Sequence, residues 1–218
     1  MSPAVPLAVY DFDGTVIKGD SIVAYLRFAH ARGYISPAAL LNVAMNGLYS
    51  RLHLLSAGEA KYRALRFRKR MTAEARNELD LAFAEELFTR VRPGALAQIA
   101  RDRTAGRLII LLSASTDNYM QPLANRLGVD KLICTRLDEL PDGNCRGAAK
   151  VRRLQTWLSE NGITPDFPAS AAYGDSLSDE PALALVGHPA VVNPTARVQK
   201  RFQNRFPVLR WPDRQDKA

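Results

Sequence analysis

The chain has 218 residues, enough to bury a substantial core in one domain with an insertion or in two small domains. Hydrophobic residues make up 47% and charged residues 24%, the balance of a globular protein rather than of a low-complexity or repetitive chain, and the net charge is +8. The N-terminus lacks the basic start and apolar core of a secretion signal. The apolar stretch from Ala38 to Leu55 is interrupted by Asn42, Asn46, Arg51 and His53, a poor match to a membrane span of roughly 20 apolar residues.

In chain order, Leu7-Ala8-Val9-Tyr10 reads as a buried strand stopped by the polar Asp11-Phe12-Asp13-Gly14. Residues 18–90 carry no convincing strand and several amphipathic helical stretches, among them Ser21 to Ala31 and Thr72 to Phe88. Ser36-Pro37 has the form of a helix start, with Ser at the N-cap and Pro at the first helical position. Pro93-Gly94 marks the return to an alternating pattern. A helix from Gly94 to Arg103 precedes a strand from Arg107 to Leu112 that stops at Ser113, and a helix from Asn118 to Leu127 ends at Gly128. Lys131 to Cys145 suggests a small hairpin. Ala169 to Tyr173 is a further strand stopping at Gly174-Asp175, and Val191-Val192 before Asn193-Pro194 a fourth. Strands alternating with helices predict an α/β fold with a parallel sheet covered on both faces. The helical block reads as a cap, residues 18–90, inserted after the first strand of a core formed by 1–17 and 91–218.

In such sheets ligands bind beyond the carboxyl ends of the strands, where each polar cluster above falls. Asp11 and Asp13 lie two apart, so in extended chain their side chains share one side. Carboxylates this close repel unless a cation sits between them, and Mg²⁺ takes oxygen ligands while contacting phosphate. Gly14 lets backbone approach a ligand, and Thr15 offers a hydroxyl. Ser113 can hydrogen-bond a phosphoryl oxygen beside the next helix N-terminus, although Ser113 or Ser115 reads equally as a helix cap. Lys150 supplies a compact positive charge in a helix, or a solvated one. Asp175 sits at a strand end, suited to a metal; Asp179, four further on, shares its face if a helical turn begins there, or simply places an acid near a helix start.

Asp11-Phe12-Asp13-Gly14-Thr15, then Ser113, Lys150 and Gly174-Asp175 with Asp179 resemble the four ordered motifs of the haloacid dehalogenase-like hydrolase superfamily. The helical insertion is similar to its helical-cap subfamily, which includes phosphoserine phosphatase, and so is Asn193-Pro194. The resemblance implies a Rossmann-like core and a phosphomonoester hydrolase. Asp11 would be the nucleophile that forms an aspartyl-phosphate and binds Mg²⁺. Asp13 would protonate the leaving oxygen, activate the water, and ligate the metal through its backbone carbonyl. Asp175 would complete the metal site, Asp179 would support it and orient Lys150, and Ser113 and Lys150 would bind the phosphoryl group. Where phosphoserine phosphatases carry Gly-Gly after the second-motif serine, this chain has Ala114-Ser115. Its acid after the first motif is Asp20, and its fourth motif reads Asp175-Ser176-Leu177-Ser178-Asp179. These departures point away from phosphoserine itself. Asp20 reads either as a contact for a substrate ammonium or, preferably, as the cap of the helix at Ser21.

The basic groups at Arg63 to Arg70 and Arg197 to Arg210 suit an anionic partner or a solvated face. A small phosphorylated metabolite is the expected partner. The alternatives are a lipid phosphate at a membrane surface, which is not favoured, and a non-catalytic phosphate- or nucleic-acid-binding module, against which the intact acids at 11, 13 and 175 argue because binding alone needs no nucleophile. The chain carries no signal of its oligomeric state. Cys134 and Cys145, the only two cysteines, flank the turn-forming Pro141-Asp142-Gly143-Asn144 and read as unpaired core residues in a reducing cytoplasm.

Overall fold

The computed structural model describes residues 3–42, 45, 54–203 and 205–213. Its frame is a six-stranded, wholly parallel sheet, in the spatial order β3-β2-β1-β4-β5-β6. The strands are β1 (Leu7–Tyr10), β2 (Leu108–Thr116), β3 (Lys131–Thr135), β4 (Ala171–Gly174), β5 (His188–Val192) and β6 (Val208–Leu209). β1 lies between β2 and β4, with Leu7 opposite Leu108 and Ala8 opposite Ala171. Successive side chains of a strand point to opposite faces, so each apolar run feeds two cores. Ala8, Tyr10, Ile109 and Leu111 join one cluster; Leu7, Val9, Ile110 and Leu112 join the other.

Helices cover both faces. The first cluster takes in residues of α1 (Ser21–Ala31), α4 (Ala73–Thr89), α5 (Pro93–Thr104) and α6 (Asp117–Leu127). The second takes in α7 (Ala148–Glu160), α8 (Glu180–Leu183) and α9 (Ala196–Phe202). Helix starts follow local chemistry: Asp20, Ser56, Thr72 and Thr195 each accept amide hydrogens at an N-cap, those of α1, α3 (Ala57–Ala64), α4 and α9. A further helix, α2, begins at residue 37; Ser36 Oγ accepts the Ala39 N–H at 3.2 Å. The rest of the apolar stretch 38–55 falls largely outside the described residues. Among the described residues no helix is long and apolar enough to cross a membrane.

Among the described residues between β1 and β2 the chain is mainly helical. Ile17 and Val91 form an antiparallel bridge, and the Arg92 N–H donates to Val16 O at 2.9 Å. The two ends of this segment therefore lie side by side next to the first loop.

Two expectations are corrected. Residues 131–145 are not a hairpin: Lys131–Thr135 is a parallel edge strand on β2. Gly128, left-handed at φ 65°, ends α6 and turns the chain back, and Asp130 is then pinned to Ile109 by two hydrogen bonds. Cys145 donates its N–H to Thr135 Oγ1 instead of extending a ladder. The second strand also does not stop at Ser113. Its ladder runs on to Thr116, with a register irregularity between Leu112 and Thr116.

Candidate active site

The site begins where β1 ends. Asp11 still pairs in the sheet, its N–H donating to Tyr173 O at 2.9 Å. One residue later the chain folds tightly, and Phe12 O collects the N–H groups of Thr15, Val16 and Ile17. Gly14 has φ 82°, and a Cβ there would stand 2.2 Å from Asp175 Oδ2, so the turn tolerates no side chain. Buried Arg92 fixes the loop from behind by donating to Gly14 O and Thr15 O.

Asp11, Asp175 and Asp179 come together with one oxygen from each within 4.8 Å of the others. Lys150, buried on α7, donates to Asp11 Oδ1 and, at 2.7 Å, to Asp179 Oδ1. The other Asp179 oxygen accepts the N–H and hydroxyl of Ser176 in a capping box, so this acid both caps a turn and orients the lysine. Gly174 makes room for it, since a Cβ there would meet Asp179 Cβ at 2.5 Å. Thr15 Oγ1 donates to Asp11 Oδ2 at 3.2 Å.

The electrostatics record crowding. Burial and the charge of Asp179 raise the Asp11 carboxyl well above the usual range, against the pull of Lys150. Burial and Asp179 likewise push Asp175 up to about 7. Burial alone would lower the Lys150 ammonium, but Asp11 and Asp179 outweigh it and hold it raised. Three hard oxygen donors this close, two of them held toward their neutral form by burial and by mutual repulsion, are the donor set a small divalent cation needs. The two glycines that admit the carboxylates leave the cluster its room.

Asp13 stands apart from this group by its side chain. Its Oδ1 accepts the Ser21 N–H at 2.8 Å and its Oδ2 the Ser115 hydroxyl at 2.5 Å. Burial, with the charge of Asp20, raises it to about 6. Asp20 caps α1, its Oδ1 accepting from Ile22 N and Val23 N, which leaves it exposed at the rim. Ser113 is fully buried; its Oγ accepts the Ser115 N–H at 3.0 Å and keeps one hydroxyl proton to donate.

Several neighbours of the site carry no distinguishing mark in the sequence. Lys61 on α3 reaches Ala114 O and, at 2.9 Å, Asn144 Oδ1, and burial lowers its ammonium to about 8. Ser21, Tyr119 and Arg92 also belong to the surroundings of the first loop. In the sequence Ser21 stands out only as the residue after a predicted cap; Lys61 has no sequence signal among so many basic residues.

Residues 8–184 match the haloacid dehalogenase-like hydrolase family. A histidinol-phosphatase of Neisseria meningitidis is 26% identical, the alignment covering 94% of this chain and 98% of that protein. A phosphoserine phosphatase (SerB1) of Mycobacterium tuberculosis is also 26% identical, over 91% of this chain and 68% of its own length. A crystal structure of a protein of unknown function from Bordetella pertussis Tohama I shares the fold with a TM-score of 0.83, at 23% identity and over 95% and 99% of the two chains. The strand-end acids thus sit in a chain that belongs to the haloacid dehalogenase-like hydrolase family, as one of its phosphatases.

Proposed function

We propose that the protein is a Mg²⁺-dependent phosphomonoester hydrolase that works through an aspartyl-phosphate on Asp11 and takes a small phosphorylated metabolite in the cytoplasm. The observation that carries this reading is the gathering of Asp11, Asp175 and Asp179, the first and last bridged by Lys150, with Asp13 held separately beside them. Two free, buried cysteines agree with a reducing compartment.

In this reading an oxygen of Asp11 attacks phosphorus, the bond to the leaving oxygen breaks, and Asp13 gives that oxygen its proton. A water then attacks the same phosphorus, its proton passes to Asp13, and inorganic phosphate leaves Asp11 free. Lys150 and the Ser113 hydroxyl hold the transferring group, and Asp179 keeps Lys150 in place. Asp11, Asp175 and the Asp13 backbone carbonyl would hold Mg²⁺, with Asp179 supporting. The ion, when bound, would offset the negative charge that nucleophile and phosphate bring together.

Residues 18–90 act as a cap on a core of 1–17 and 91–218. The Ile17–Val91 bridge supports this by joining the two ends of the insert, and Lys61 supports it by reaching from α3 to the end of β2. Asp20 serves as a helix cap rather than as a substrate contact.

The test is hydrolysis of p-nitrophenyl phosphate with and without Mg²⁺. Activity should require the cation and vanish in Asp11→Asn; hydrolysis that survives that substitution overturns the assignment. A screen of phosphorylated metabolites, with histidinol phosphate and phosphoserine among them, then ranks substrates.

A further inference from the structure

The sequence leaves Ser115 open to reading as a helix cap, but α6 is entered through Thr116, with no side-chain cap bond, and the Ser115 hydroxyl turns elsewhere. It donates to Asp13 Oδ2 at 2.5 Å. Its oxygen lies 2.7 Å from Ser21 Oγ, which lies 3.0 Å from Tyr119 Oη. Ser21, Ser115 and Tyr119 are at most 2% exposed. The Ser21 N–H, an amide at the start of α1 with no partner inside the helix, donates to Asp13 Oδ1 at 2.8 Å.

Each hydroxyl has a single proton, so one bond fixes the direction of the rest. Because Ser115 gives its proton to Asp13, it must accept from Ser21. Ser21 in turn must accept from Tyr119. The chain runs Tyr119 to Ser21 to Ser115 to Asp13 and begins at a tyrosine closed off from solvent. Both Asp13 oxygens therefore face a donor on their protein side, one of them an amide that cannot accept. A proton carried by Asp13 is left on the side away from these donors.

We propose that Ser115 and Ser21 are positioning residues: a buried hydroxyl clamp that fixes the Asp13 carboxylate so that its proton goes to the leaving oxygen of the substrate. This rests on the reading of Asp13 as general acid. The clamp joins three parts of the chain, with Asp13 after β1, Ser115 at the end of β2, and Ser21 at the first turn of the helical insert. It thereby ties the aim of the acid to the seating of α1.

The readout is the dependence on the leaving group. An alkoxide is a much stronger base than a nitrophenolate and needs the proton far more. kcat/KM for glycerol 2-phosphate and for p-nitrophenyl phosphate, measured in parallel, separates loss of proton donation from general damage. Asp13→Asn should lose much more on the alkyl than on the aryl ester. Ser115→Ala should show the same bias at smaller amplitude, about tenfold or more on the alkyl ester and within about threefold on the aryl, a part of the ~10²–10⁴ that general acid catalysis supplies. Ser115→Thr, which keeps a hydroxyl, should restore the wild-type ratio. If Ser115→Ala does not fold by circular dichroism, Ser21→Ala and Tyr119→Phe remove links further along the chain and should show the bias more weakly.

An equal loss on both esters in Ser115→Ala, with Asp13→Asn still biased, overturns the clamp and leaves the acid standing. An unbiased Asp13→Asn overturns the acid and the clamp together.

Discussion

Two buried polar clusters in this protein solve opposite problems. In the helical layer Arg68 and Asp80 form a bidentate pair at 2.6 and 2.7 Å, with Tyr25 Oη and Asn118 Nδ2 also donating to Asp80. One cation meets one anion, and Tyr25 stacks into an aromatic group with Phe83 and Tyr119, ring centroids 5.1 Å apart. At the strand ends, by contrast, the Lys150 ammonium bridges Asp11 and Asp179, Asp175 adds a third carboxylate beside these two, and Asp13 and Asp20 add charge nearby. The first cluster is closed: every charge is matched inside the protein. The second is open, and its unmatched negative charge is what a cation and a phosphoryl group would complete. Buried charge that is matched holds a fold; buried charge left unmatched is kept for chemistry.

The largest effect should come from opening the closed cluster. Arg68→Met leaves Asp80 buried and unpaired, and the loss should be about 3–5 kcal/mol of stability, read by urea unfolding. The surviving folded enzyme should keep kcat/KM within a few-fold, because the pair touches none of the acids at the strand ends. A stable variant with ruined activity would erase the distinction between the clusters.

Lys150→Met probes the other side. It removes the one ammonium that joins Asp11 to Asp179, and kcat should fall by about 10²–10³, or roughly 2.7–4 kcal/mol of transition-state stabilisation. Stability with Mg²⁺ present should change much less than in Arg68→Met. Steady-state kinetics on p-nitrophenyl phosphate beside a thermal melt measures both.

The open cluster was far more legible in the sequence than the closed one. Asp11 and Asp175 each follow a short apolar run that ends a strand, the punctuation expected where the sheet is parallel and doubly covered; Ser113 follows such a run too but lies inside β2. The ordered motifs then placed Lys150 and Asp179. Arg68 and Asp80 carry no such mark; they sit in ordinary helical sequence, and only tertiary packing makes them a pair. The false hairpin at 131–145 has the same origin. Its turn residues are real, but β3 finds its partner in β2, far away in sequence. Ser115, Ser21 and Tyr119 meet across 98 residues of chain, a contact that no local pattern encodes.

The smallest effect concerns the open cluster without its cation. Asp175 is raised from 3.8 to about 7, so the folded protein binds its proton more tightly than the unfolded chain does. A carboxyl raised in this way adds stability at low pH, and that stability is lost as pH climbs from about 4 through about 7. Under the proposed function Mg²⁺ binds the ionised acids, so it should reverse the loss where they are ionised. At a concentration 100-fold over its Kd the ion contributes about 2.7 kcal/mol, several degrees in Tm for a chain of this size. Thermal melts should therefore show a larger Mg²⁺ shift at pH 8 than at pH 5, and Asp175→Asn should flatten the difference. An equal shift at both pH values would place the ion somewhere other than among these carboxylates. The closed Arg68–Asp80 pair takes no part in this response, so Arg68→Met should lower the melting curve while leaving the Mg²⁺ shift intact.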